Sequence, residues 1–141
     1  MRKQCLWLLL IVSAAAHAEQ TPADEIAARS GLPASEVAGL LNNCDGSQTS
    51  MNFCAWRDQI VAERQLQQVV DKQIEAHPER KAALEAKISK WKKARDASCE
   101  KSARKEWGDG SMRPAAQATC AAIVTKKMTQ KLSAAATRKP S

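Results

Sequence analysis

The 141-residue chain has no tyrosine and a single phenylalanine, and aromatic residues make up only 4% of it. Sheets are rich in aromatic and β-branched residues, so this poverty, beside abundant alanine, lysine and glutamine, favours helix. Histidine is almost as scarce. His17 falls in a leader, which leaves His77, and a histidine at a helix break before Pro78 suits a surface cap better than a base or a ligand. There is no Ser-His-Asp set, phosphate loop or H-E-x-x-H motif. Asp58, Glu63 and Asp96 are scattered over charged faces, where carboxylates serve as salt-bridge or capping groups rather than as an acid/base pair. No C-x-x-C pair suggests zinc. These gaps point away from an enzyme, a cofactor and a metal centre.

Long apolar runs are missing too, except at the start. Arg2 and Lys3 form a positive n-region, residues 5–12 an apolar h-region, and Ala16-His17-Ala18 an A-x-A cleavage signal. Residues 1–18 therefore read as a secretory signal peptide. The run is short for a membrane span and no later stretch replaces it, so the protein is not expected to span a membrane. Cys5 lies inside the h-region rather than after a lipobox, which argues against a lipid anchor there. The expected location is periplasmic or secreted, where disulfides persist.

Acidic charge is in short supply: 22 Lys+Arg face 15 Asp+Glu, a formal charge of +7. Removing Arg2 and Lys3 with the leader lowers it to +5. Such a balance suits anionic partners, including nucleic acid, phospholipid headgroups and envelope polymers, or it is a solvated basic surface with no specific partner.

Residues 19–43 read as a short helical hairpin. Thr21 is an N-cap, Pro22 the first helical position and Gly31 the end; a second short helix carries Val37, Leu40 and Leu41. Ala27, Gly31, Leu32, Val37 and Leu40 also match helix-turn-helix spacing. With a leader and cysteines present, packing of the hairpin on the main domain is expected instead of nucleic-acid binding. A long helix then starts near Thr49 or Ser50 and runs to about Ala76, where His77-Pro78 breaks it. A second covers residues 79–106. Trp107-Gly108-Asp109-Gly110-Ser111 is a turn, and a third helix starts near Arg113-Pro114 with Ala118, Ala121, Ile123, Val124, Met128 and Leu132. Residues 134–141 read as a frayed, disordered basic tail.

The second long helix holds the segment around which the chain is organised. Leu84, Ile88, Trp91, Arg95 and Cys99 recur every three or four residues and share one face. The stem of Arg95 can pack beside the Trp91 indole while its head seeks an acceptor. Asp96, adjacent in sequence, is expected to point elsewhere and need not be the partner of Arg95. Lys90, Lys93, Lys101 and Arg104 line a basic edge able to touch lipid phosphates or polysaccharide, or simply to be solvated.

Four cysteines follow the leader: Cys44, Cys54, Cys99 and Cys120. An even count in an exported domain reads as two disulfides with three possible pairings. Cys99 and Cys120 lie almost equally far from the turn at Asp109-Gly110, hence level in an antiparallel hairpin. Cys44 precedes the helix on which Cys54 occupies an early turn. The expected pairs are Cys44–Cys54 and Cys99–Cys120, with Cys54–Cys99 still open because those two are also roughly level.

Met51-Asn52-Phe53-Cys54-Ala55, Leu66, Leu84, Trp91 with Arg95-Asp96 and Cys99, then Gly110-Ser111, Cys120, Thr125 and Leu132 resemble the LprI-type lysozyme inhibitor family, the DUF1311 domain. W-x-x-x-R-D-x-x-C with the following G-S and C is the most specific part. The resemblance places an LprI-like domain at residues 44–133. The chain departs from the family pattern at Gln67 and Val70, where L-N-x-x-Y is usual, and at Ile88 and Met128, where a Gln and an Arg are usual. The helices and cysteines read above predict a small, disulfide-stapled all-α bundle of three main helices with a short N-terminal helical hairpin; the resemblance, which leaves that hairpin outside it, implies a periplasmic or cell-surface helical module. It also implies a non-catalytic protein able in some members to inhibit c-type lysozyme. The alternative is an envelope-associated structural or adaptor module binding anionic components. If inhibition holds, the loop from Trp107 to Arg113 is the candidate plug for the enzyme's cleft. Its glycines make it thin, and Trp107, Asp109, Ser111 and Arg113 are its functional side chains, with Ser111 and Arg113 as donors. Chicken-type lysozymes are strongly cationic, so a chain near +5 is expected to meet long-range repulsion.

Overall fold

The computed structural model describes residues 20–138; the proposed leader lies outside them. Helix α1 (Pro22–Ser30) begins where the cap signals place it. The Thr21 hydroxyl accepts from the Asp24 N–H at 3.1 Å, and the Asp24 carboxylate accepts from the Thr21 N–H at 3.0 Å, a complete capping box. After Gly31 and Pro33 comes α2 (Ala34–Asn42). Helix α3 (Gln48–Ala76) is capped by Ser47, whose hydroxyl accepts from the Ser50 N–H at 3.0 Å. A 3-10 turn, Pro78–Arg80, leads into α4 (Lys81–Trp107), and α5 (Arg113–Thr137) completes the described chain. The expected helices are all present, with starts shifted by one or two residues. Ala134 to Thr137, set aside above as tail, are the last turn of α5. Residues 139–141 lie outside the described residues.

Helix α5 runs parallel to α3 and packs along it. The two ends of this contact are marked by hydrogen bonds from Asn52 to the Ser111 carbonyl and from Gln73 to the Leu132 carbonyl. Small side chains make the approach close: Ala115, Ala118, Ala121 and Ala122 are buried on α5, and Ala62 on α3. Helix α4 returns antiparallel to both and packs more extensively on α5 than on α3. Cys99–Cys120 clamps α4 to α5 with Cα atoms 5.6 Å apart, and Cys44–Cys54 ties the α2–α3 link to α3 at 5.7 Å. The open alternative, Cys54–Cys99, is thereby eliminated. The chain is a disulfide-stapled, all-α bundle.

Two apolar clusters share the interior. Leu66, Val70, Ile88 and Leu132 form one, with Leu84, Trp91 and Met128 packed against it. Three positions at which the sequence departs from the resembled pattern, Val70, Ile88 and Met128, meet in this cluster, whereas Gln67 is exposed. Their apolar side chains leave no polar group at these positions that would need a partner. Ile26, Val37 and Ile60 form the second cluster, ringed by Ala27, Leu32, Leu41, Phe53 and Trp56. It seats the N-terminal hairpin on the first half of α3, so Ala27, Leu32 and Val37 of the helix-turn-helix spacing face inward. Arg64 reinforces the seat by donating to Glu25 at 2.8 Å and to the Gln20 carbonyl.

One expected apolar position turns outward. Ile123 is 49% exposed, because the buried stripe of α5 runs through Ala118, Ala121, Ala122, Thr125 and Leu132, and residue 123 stands about 100° round the helix even from Ala122.

Candidate functional site

The three long helices meet at Arg95. Its side chain is only 2% exposed, and its Nη2 donates to Glu63 of α3 and to Asp96 of α4, each at 2.7 Å. Nε donates to the same Asp96 oxygen at 2.8 Å, and Nη1 donates to Thr125 Oγ1 of α5 at 2.7 Å. The guanidinium lies 5.4 Å from the centre of the Trp91 ring, within cation–π range. Asp96 is therefore a partner of Arg95, in keeping with its reading as a salt-bridge group, although adjacency in sequence did not require the pairing. Adjacent residues point their Cβ atoms apart, but a long arginine can curl its head back to a neighbour's carboxylate. Trp91 is half-buried at the margin of the core rather than enclosed by it. Glu63 and Thr125 complete the junction. Glu63 had a legible signal: it and Arg95 lie at comparable distances from the His77-Pro78 break, hence level in that hairpin. This constellation binds helices together and leaves no reactive group free.

The turn between α4 and α5 closes one end of the bundle. Gly108 has φ +57°, a left-handed conformation that side chains resist, and a Cβ on Gly110 would stand 2.9 Å from the Trp107 carbonyl oxygen. The two glycines make the turn thin for different reasons. Arg113 Nη1 donates to Asp109 Oδ1 at 2.6 Å and to the Gly108 carbonyl at 3.4 Å. The expectation that Arg113 serves as an outward donor is thus modified: its guanidinium braces the turn from within. Asn52 of α3 holds the Ser111 carbonyl at 3.3 Å, and Trp107 is 40% exposed beside it. Next to the turn lies an open groove of ≈ 380 Å³ between α3 and α5, with Phe53, Trp56, Gln59 and Gln117 in its walls and no charged lining residue. The Asn52–Ser111 contact and the groove have no single-sequence signal; both follow from the parallel packing of α3 and α5.

The remaining sequence candidates are dispersed. Asp58 pairs with its neighbour Arg57, and exposed His77 has its Nδ1 3.4 Å from Glu79. Lys90, Lys93, Lys101 and Arg104 are all exposed on α4, but Arg104 is engaged by Glu100 at 2.7 Å. That hydrogen bond holds the Arg104 guanidinium above its ordinary pKa. The hydrogen bond from the Thr21 hydroxyl, followed by that from the Thr21 backbone, holds the Asp24 carboxyl below the usual carboxylate range. Among the described residues, no three His, Cys, Asp or Glu side chains are placed to hold a metal ion, and no helix is long and apolar enough to cross a membrane.

Fold and site together define a class: a disulfide-clamped helical module that presents a narrow, internally braced turn. The chain belongs to the LprI family, described as lysozyme inhibitor LprI, whose profile matches residues 42–132. The family is named for inhibition and not for a catalytic activity. No curated protein and no solved structure matches the chain.

Proposed function

We propose that this protein is an exported, non-catalytic inhibitor that binds c-type lysozyme and obstructs its cleft with the turn from Trp107 to Arg113. The observation that carries the reading is the build of that turn. Two glycines thin it, Arg113 and Asn52 brace it, and the Cys99–Cys120 bridge anchors the helices beneath it. A lysozyme cleft flanked by two carboxylates admits a narrow protrusion but not the side of a helix. A braced turn also avoids the cost of ordering a floppy one on binding. Trp107 supplies an aromatic anchor and Ser111 a hydroxyl donor. Export rests on the proposed signal peptide and on two disulfides, which persist in oxidising compartments.

Charge supports this orientation. Glu63, Arg95 and Thr125 mark one level of the bundle. On the turn's side of it, residues 20–63 and 96–124 hold ten acids against six bases, a net of −4. On the other side, residues 64–95 and 125–138 hold thirteen bases against four acids, a net of +9. A cationic lysozyme at the turn therefore meets the acidic half.

The test is lysozyme-driven clearing of a cell-wall suspension, with wild type and the double variant Trp107→Ala/Ser111→Ala, each checked for intact disulfides and helicity. Wild type should inhibit, and the folded double variant should lose at least about tenfold, the scale of one interface anchor. Equal inhibition by both removes the turn from the mechanism. No inhibition by wild type removes lysozyme as the target.

A further inference from the structure

Helix α5 contains no aspartate or glutamate from Arg113 to Thr137. Its inner face is fixed against α3 by Ala118, Ala121, Ala122, Thr125 and Leu132, and Cys120 is bonded to α4. Its outer face is thereby held outward. On that face Ile123 is half exposed, and Lys126, Lys127 and Lys131 follow at i+3, i+4 and i+8, all exposed. Among the described residues, none of these three lysines meets a carboxylate within salt-bridge distance. The basic edge of α4 differs: its cations are interleaved with Glu85, Asp96, Glu100 and Glu106, and Arg104 is paired. Favourable interaction with the helix dipole accounts for cations in the last turn only, and Lys126 and Lys127 lie further in.

We propose that the outer face of α5 is a peripheral docking surface for an anionic phospholipid bilayer. The unpaired lysines match lipid phosphates, each adding on the order of 1 kcal/mol near an anionic surface. Ile123 selects the lipid among polyanions. A soluble polymer of phosphate or sugar acid needs charge alone, whereas an outward isoleucine ringed by lysines finds its acceptor at the headgroup–acyl boundary. Lysine stems can lie along that boundary while their heads reach the phosphates. The proposal does not rest on lysozyme binding.

The experiment is co-sedimentation of the exported, oxidised protein with vesicles of phosphatidylcholine alone or mixed with phosphatidylglycerol, at low and high salt. Binding is expected only to the mixed vesicles, and high salt should weaken it. Lys126→Gln/Lys127→Gln should weaken it about 30-fold, from the contribution of two lysines. Ile123→Ser leaves the charge unchanged and should weaken vesicle binding about tenfold, roughly the transfer of part of an isoleucine side chain, while leaving capture on immobilised polyphosphate unaltered. Unchanged urea midpoints would show that all variants are folded. Equal binding to neutral vesicles, no binding to mixed vesicles, or indifference of vesicle binding to Ile123→Ser each overturns the proposal. The last outcome makes the face a simple polyanion surface.

Discussion

Replacing Arg95 by alanine should cost more stability than removing any other single charged side chain in the bundle. The guanidinium is 2% exposed and contacts one acceptor on each long helix: Glu63 at 2.7 Å, Asp96 at 2.7 Å and Thr125 at 2.7 Å. Truncating one member of a buried ion pair costs about 3–5 kcal/mol, because the remaining charge stays desolvated. Here the carboxylates are 25% and 53% exposed and can recover part of their hydration, which places Arg95→Ala near the lower bound, about 3 kcal/mol. Arg95→Met restores the packing of the stem against Trp91 and should recover about 1 kcal/mol of that loss. A double-mutant cycle of Arg95→Met with Glu63→Gln should yield a coupling of about 1–2 kcal/mol. Urea denaturation of oxidised protein followed by far-ultraviolet circular dichroism measures all three. The coupling should change little between low and high salt, since a buried pair is screened weakly. A loss below about 1 kcal/mol for Arg95→Ala, the range of exposed pairs, would refute this account of the junction.

Three further outcomes are expected. Trp91→Ala should destabilise by about 2–3 kcal/mol, below the usual range for a fully buried aromatic because Trp91 sits at the margin of the core; urea midpoints check it. Cys99→Ser/Cys120→Ser should cost about 3 kcal/mol, the loop-closure value for a bridge spanning 21 residues, while peptide mapping still finds Cys44–Cys54 intact. The Asp24 carboxyl is held below its ordinary value by Thr21, so its contribution to the α1 cap is complete above the unfolded pKa and is lost as pH falls through the lower, folded one. Hydrogen exchange of the first-turn amides of α1 should accelerate over that acidic window, and Asp24→Ala should abolish the dependence.

Much of the architecture was legible because several signals agreed locally. Thr21-Pro22 with Asp24, Gly31, the His77-Pro78 break and the paired glycines at 108 and 110 each marked an element end by their own backbone chemistry. Once the turn at Asp109-Gly110 was placed, distance from it made Cys99 and Cys120 level. What failed to show was anything set by rotation or by side-chain reach. Ile123 reads as one more apolar residue on an apolar helix, and only the packing of α5 on α3 turns it outward. Asp96 was assigned away from Arg95 by its Cβ direction, while the flexible guanidinium found it regardless. Arg113 read as a donor toward a partner because Asp109 lies in the turn outside any helix, and only the folded turn brings its carboxylate to the guanidinium. The clustering of Val70, Ile88 and Met128 spans three helices, so no local window contains it.

If the chain meets a cationic enzyme at the turn, as proposed, the division of charge along the bundle matters to the encounter besides the net charge that predicts repulsion. Helix α3 has 29 residues, so the bundle is about 43 Å long at 1.5 Å per residue. At physiological ionic strength the Debye length is about 8 Å, so a lysozyme approaching the turn responds to the −4 half and hardly to the +9 half. At about 10 mM salt the Debye length is roughly 30 Å, and repulsion from the far half reaches the same encounter. The association rate measured by stopped flow should therefore rise as salt is added from the lowest concentrations, pass through a maximum, and fall once the local attraction is screened in turn. A neutralising pair on the near half, Asp45→Asn with Asp58→Asn, leaves the turn untouched and should flatten the descending limb. A rate that climbs monotonically with salt would mean that lysozyme meets the basic half, and that the turn between Trp107 and Arg113 is not the face it binds.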